Sequence, residues 1–187
     1  MTGVQTCALP IWLIGGYWQW GRKGPDSSQW YDTNTENFAH GPTGPDSGDA
    51  NDGEISSLND NYAPDDSWSD TSKTASDPCP TGYRVPTYSQ WDGVLDNNTQ
   101  STVGTWSTDD TNYSSARFFG NDLMLSAAGY RFLGRGSLYH RGGSGTYWSS
   151  THGTSNYAWS LNFYSSYATT YSSSDRRNGF SVRCVAE

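Results

Sequence analysis

Between Ser126 and Val185 the chain reads Ser-Ala-Ala-Gly-Tyr-Arg, Gly-Ser-Leu-Tyr, Thr-Tyr-Trp-Ser-Ser-Thr, Tyr-Ala-Trp-Ser-Leu-Asn-Phe and Asn-Gly-Phe-Ser-Val-Arg-Cys-Val, with Tyr, Ser, Thr and Gly filling the gaps. Short apolar motifs set among small polar residues specify a packed framework that carries a surface. Tyr gives large, rigid contact area at low entropy cost, while Ser, Gly and Asn supply adaptable hydrogen bonds. Binding, rather than catalysis, is the first expectation.

Only 16% of the residues are charged and 15% are aromatic, with nine Trp and thirteen Tyr. Aromatic burial on that scale can offset the entropy of ordering, so the composition argues against disorder. A net charge of -8 disfavours nucleic acid, whose phosphates need a basic face. No apolar run approaches the length of a membrane span. Thr2 to Ile11 reads as the translation of a short-read sequencing adapter, with Met1 where a GTG codon would serve as a start. Residues 1–11 are therefore expected to be an artefact and set aside. Residues 12–187 are expected to form one N-terminally truncated domain, enough for a single core. The apolar stretch from Cys7 lacks the basic segment of a signal peptide.

Gly15 to Gly21 reads as an aromatic core element. From Gly41 to Asp77 the turn formers Gly, Pro, Ser, Asn and Asp dominate, which predicts a long ordered loop. Its carboxylates include Asp46, Asp49, Asp52, Glu54, Asp60, Asp65, Asp66 and Asp70, against the lone Lys73, so calcium could organise it. The spacing is not that of an EF-hand, and a solvated acidic loop pinned by Leu58 and Trp68 is the plainer alternative.

Thr87 with Gln90 three residues on forms a capping box, and Trp91, Val94 and Leu95 make an apolar stripe, predicting a helix from Thr87 to about Asp96. Asn97 to Ser115 reads as a polar stretch. Asp122–Ser126, Thr146–Thr151, Tyr157–Tyr164 and Phe180–Val185 read as strands. Alternation places Trp159, Leu161 and Phe163 on a core face, and Ser160, Asn162 and Tyr164 on a face toward solvent or a ligand. The expected fold class is α+β: a small antiparallel sheet with one or two helices and long loops. With Cys7 set aside, Cys79 and Cys184 make a poor zinc site. They are either a disulfide, worth up to about 5 kcal/mol in the chain-entropy model, or two buried thiols.

Cys79-Pro-Thr-Gly-Tyr-Arg-Val-Pro-Thr87, Ala128-Gly-Tyr-Arg131, Tyr147-Trp-Ser-Ser-Thr151, Ala158, Leu161, Phe163 and Gly179-Phe-Ser-Val-Arg-Cys184 resemble the Fibrobacter succinogenes major paralogous domain. The resemblance runs from about Gly15 to Val185 and is strongest after Asp77. It implies a C-type-lectin-like fold, an exported protein at the cell surface or in the extracellular space, and a lipid anchor upstream of this fragment. It also implies that Cys79 and Cys184 are a structural pair, unlike the copper-holding cysteines of the related formylglycine-generating enzymes.

The chain is also similar to the variable proteins of diversity-generating retroelements, some of them displayed on virions. Adenine mutagenesis of Asn codons cannot yield Lys, Glu, Gln, Met or Trp. From Leu125 to Ala186 there is no Lys, Glu, Gln or Met, and Trp148 and Trp159 sit at motif positions.

His40, His140 and His152 are scattered without a nucleophile or an elbow motif, so no catalytic residue is expected and the chain is not expected to be an enzyme. The expected function is recognition of a protein or glycan. One exposed patch would carry it, made of Tyr139, His140, Arg141, Ser144, Thr146, His152, Asn156, Ser160, Asn162, Tyr164, Tyr167, Tyr171, Asp175 and Arg177. Trp148, Trp159, Leu161, Phe163, Phe180 and Val182 should lie buried beneath it. The alternative is a structural domain of an envelope or fimbrial lipoprotein, without a ligand of its own.

Overall fold

A computed structural model describes residues 16–22, 62–109, 111–133 and 138–187. The adapter-like segment with Cys7, His40, Leu58, and the acidic positions Asp46, Asp49, Asp52, Glu54 and Asp60 lie outside the described residues. In chain order the elements begin with β1 (Trp18–Gln19), β2 (Tyr83–Arg84), α1 (Tyr88–Asn97), β3 (Gln100–Val103), β4 (Ala116–Phe119), β5 (Leu123–Ser126) and β6 (Tyr130–Arg131). They continue with β7 (Leu138–Tyr139), β8 (Gly145–His152), β9 (Tyr157–Phe163), β10 (Ala168–Thr169), β11 (Ser173–Asp175), β12 (Gly179–Phe180) and β13 (Val185–Ala186). One short helix with several antiparallel sheets is an α+β arrangement.

Helix α1 starts where its capping box dictates. Thr87 Oγ1 accepts from Gln90 N at 3.0 Å, and Gln90 Oε1 accepts from Thr87 N at 2.9 Å, so each satisfies an amide that the first turn leaves unpaired. Trp91 is buried, and Val94 and Leu95 pack beside it against Tyr147, Leu161 and Phe163. The helix thus lies on β8 and β9, the longest strands.

Strands β8 and β9 pair antiparallel, and the far edge of β9 carries β10 and then β11. Both faces of this sheet are covered. Tyr147, Leu161 and Phe163 point toward α1, Phe119 and Leu125. Trp148 and Ala158 point the other way, into a cluster with Trp18, Trp20, Trp68, Val85 and Phe180. Indole N–H groups pin these layers to backbone carbonyls: Trp148 to Trp18 O at 2.7 Å, Trp20 to Ser149 O at 2.9 Å and Trp91 to Trp148 O at 3.1 Å. A buried indole needs such an acceptor, and each bond joins segments far apart in sequence.

Asn97 to Ser115 is not wholly irregular, because β3 lies within it and pairs with β4, which pairs with β5. The segment expected as one strand from Phe180 to Val185 is broken. Ser181 is held to β8 by Trp148 N to Ser181 O at 3.0 Å and Ser181 N to Thr146 O at 3.1 Å, whereas Val185 pairs with Arg84. One continuous strand cannot serve both sheets. Between them Cys184 is joined to Cys79 in a disulfide with Cα atoms 5.7 Å apart. Asp77 shapes the same corner: its buried carboxylate accepts from Cys79 N at 2.8 Å, Val85 N at 2.9 Å and Lys73 Nζ at 2.9 Å.

Candidate functional site

Four of the fourteen sequence-derived positions are not on the surface. Ser160 is in register with Trp148, so its side chain shares the face that Trp18, Trp20 and Phe180 cover. Thr146 precedes Trp148 by two residues and falls on that same buried face. Ser144 is buried where the chain turns into β8, its amide donating to His140 O at 3.0 Å. Arg141 is 0% exposed: its guanidinium lies 4.9 Å from the centroid of the Tyr113 ring, and Nη1 donates to the Tyr113 hydroxyl at 2.8 Å. The assignment of one β9 face to solvent is therefore corrected, because a second layer closes it. Asn162 is half-buried, as are Trp159 and Val182, which were expected in the core.

The remaining positions do not form one patch. Strand β9 rises about 3.3 Å per residue, so its two ends lie roughly 20 Å apart. At its start, Tyr157 is in register with Asp175. Here Arg177 Nη2 meets Asp175 Oδ2 at 2.8 Å, the Tyr62 hydroxyl donates to the same oxygen at 3.0 Å, and the Arg177 guanidinium lies 4.8 Å from the Tyr62 ring centroid. Burial pushes the Asp175 carboxyl up, but its hydrogen bonds to Arg177 and Tyr62 outweigh that and hold its pKa below the usual carboxylate value. Asn156 is exposed nearby, its carbonyl accepting from Arg176 N at 3.0 Å, and His152 sets its ring 6.2 Å from Trp20. Midway along the helix side, Tyr171 is 83% exposed and leans on Trp159, which in turn meets Tyr88.

The other end of β9 is aromatic. Tyr130 stacks on Tyr139 and on His140, each at 5.9 Å, Phe132 meets Tyr139 at 5.5 Å, and Tyr164 meets Tyr167 at 5.0 Å. Gly129 bridges Gly145, which is in register with Phe163, so the two ring groups flank the same end of β9. Burial raises the Tyr130 phenol, and the Tyr164 and Tyr139 phenols raise it further. Phe132, Tyr139 and Tyr167 are 42%, 43% and 51% exposed. Among the described residues the hydroxyls of Tyr130, Tyr139, Tyr164 and Tyr167 make no hydrogen bond within the protein.

The backbone beneath is tight. His140 has φ 59°, and Gly129 has φ 68° with the Tyr139 carbonyl oxygen 2.2 Å from where a Cβ would stand. Only glycine at 129 admits that crossing, which fixes where Tyr139 and His140 project. Arg117 supports the second pair: Nη1 donates to Tyr164 O at 2.8 Å and Ser165 O at 3.3 Å, and Nε donates to Gln100 Oε1 at 3.0 Å. Burial lowers its pKa from the ordinary value.

Sequence reasoning missed Phe132, Tyr62 and Arg117, and it placed Tyr130 only in a framework motif. The two-residue strand that carries Tyr130, with Phe132 just beyond its end, offered no alternation to read, and Arg117 lies on a strand that was not expected. Among the described residues no group of three or more His, Cys, Asp or Glu side chains could hold a metal ion. No described helix is long and apolar enough to cross a membrane.

The fold and this surface define a small disulfide-bonded α+β domain with an aromatic end. Residues 121–185, from the turn before β5 to β13, match the family model described as a domain of unknown function, DUF8237. No curated protein and no solved structure matches the chain.

Proposed function

We propose that this is a ligand-binding surface module with a C-type-lectin-like fold, acting by recognition rather than catalysis at the cell surface, in the extracellular space or on a virion. The contact surface is the aromatic end formed by Phe132, Tyr139, His140, Tyr164 and Tyr167. The observation that carries this reading is the combination of exposed rings with unbonded hydroxyls. Such rings present apolar area and a polar tip together, the pairing that a protein or glycan partner uses. Tyr is also enriched among residues that dominate binding energy. The absence of Lys, Glu, Gln and Met from Leu125 to Ala186 supports retroelement diversification of this surface.

A second reading is a structural domain of an exported envelope or fimbrial lipoprotein. The division of the exposed positions between the two ends of β9 favours it, since separate patches suit contacts with separate neighbours. The test is a binding screen of the full chain against an array of defined glycans and purified cell-surface proteins, repeated with Tyr139→Ala, Tyr164→Ala and Tyr167→Ala combined. Binding that the folded triple variant loses supports the module. No binding by the parent chain, or equal binding by the variant, moves the structural domain to the front.

A further inference from the structure

We infer that Arg117 is the positioning residue of the aromatic turn at residues 164–167, holding the main-chain carbonyls of Tyr164 and Ser165 so that Tyr164 and Tyr167 project as a pair. The inference rests on the reading of that turn as part of the contact surface.

Arg117 lies on the middle strand of the β3–β4–β5 sheet, in register with Thr102 on one side and Leu125 on the other. It is 7% exposed, and no carboxylate among the described residues pairs with it. A buried guanidinium has lost its water and needs acceptors for its fixed fork of donors. Here the acceptors are the Gln100 side chain and two carbonyls of the turn. Hydrogen bonds from a charged donor are stronger than neutral ones, so the clasp is a substantial part of what orders a turn in which three of the four residues are exposed. The turn is also closed by Tyr164 N to Tyr167 O at 2.8 Å.

The two bonds from Nη1 and the bond that closes the turn all engage main-chain atoms of residues 164–167, while Gln100 anchors the guanidinium from the other side. The backbone path is therefore specified from the neighbouring sheet, whatever side chains residues 164–167 carry. An arginine that served only to stabilise the fold would have no reason to act on this turn more than on β8 or α1. A positioning arginine acts there first.

The experiment is residue-resolved amide hydrogen exchange on the full chain, comparing the parent with Arg117→Met, Arg117→Lys and Gln100→Ala. It needs no ligand, so the clasp and the binding-surface reading can fail separately. In Arg117→Met the Tyr164 amide should exchange about tenfold faster or more, while the Trp148 and Leu161 amides keep their rates. Arg117→Lys, with one charged head and no fork, should fall between parent and Met. Should Arg117→Met fail to fold, Gln100→Ala removes one anchor from an exposed side chain and should raise exchange at Tyr164 alone, by a smaller factor. Unchanged exchange at Tyr164 in the folded variants, or an equal rise at Trp148 and Leu161, would overturn the assignment.

Discussion

Tyr147 and Tyr167 show one amino acid used in two opposite ways. In the two-sided sheet, Tyr147 is fully enclosed, stacked on Phe163 at 6.0 Å, and its hydroxyl donates to Ser126 O at 3.0 Å. At the end of the same sheet, Tyr167 meets Tyr164 at 5.0 Å and offers half its surface and an unbonded hydroxyl to solvent. The first region converts aromatic area into stability, whereas the second leaves it available. The difference lies in what covers each face, and the cover comes from elsewhere in the chain.

That contrast can be broken most forcefully at Trp148, which is 0% exposed and stacked on Phe180 at 4.1 Å. Trp148→Ala should cost about 3 to 5 kcal/mol in urea unfolding, since both the transfer of the ring and the cavity it leaves count against the fold. A loss near zero would mean that the cluster around Trp18, Trp20 and Phe180 does not close that face.

A smaller and more specific effect belongs to Tyr147. Burial pushes its phenol up to about 12, against the lowering effect of its Ser126 hydrogen bond. Because the folded value lies above the unfolded value of about 10, the neutral phenol stabilises the fold fully below that pH. This contribution is lost as pH rises through the folded value. Urea unfolding at increasing alkalinity should show the decline beginning near pH 10, and Tyr147→Phe should remove part of it. At neutral pH the same substitution should cost about 1 kcal/mol, the worth of one buried hydrogen bond. The smallest effect is expected at the exposed end, where Tyr167→Ala should change stability by no more than about 0.5 kcal/mol. A loss comparable to that of Trp148→Ala would make the exposed ring a core element and erase the comparison.

How far the sequence could be read follows the same division. The capping box at Thr87 and Gln90 was legible because all its atoms lie within one turn of chain. Strands β8 and β9 were legible from alternation, which states which residues share a face. Alternation does not state whether a face is covered. Ser160 and Thr146 look like surface residues by type, and are buried because Trp18 and Phe180 arrive from opposite ends of the chain. Arg141 was misplaced for the same reason: its partner Tyr113 lies in a stretch whose composition reads as polar. The pairing of Cys79 with Cys184 was one of two open readings until the motifs around each cysteine favoured it. The two-residue strands were illegible, since a period cannot be read from two positions.

The pairing of Trp18 with Phe180 has a kinetic consequence. The indoles of Trp18 and Trp20 leave the ribosome long before their packing partners Trp148 and Phe180. Closing so wide a loop precedes any reward from the contacts, which makes folding slow and leaves aromatic surface open meanwhile. This core therefore cannot close until Phe180 has been made. Whatever shields Trp18 and Trp20 meanwhile must act until β8, β9 and β12 have followed them out.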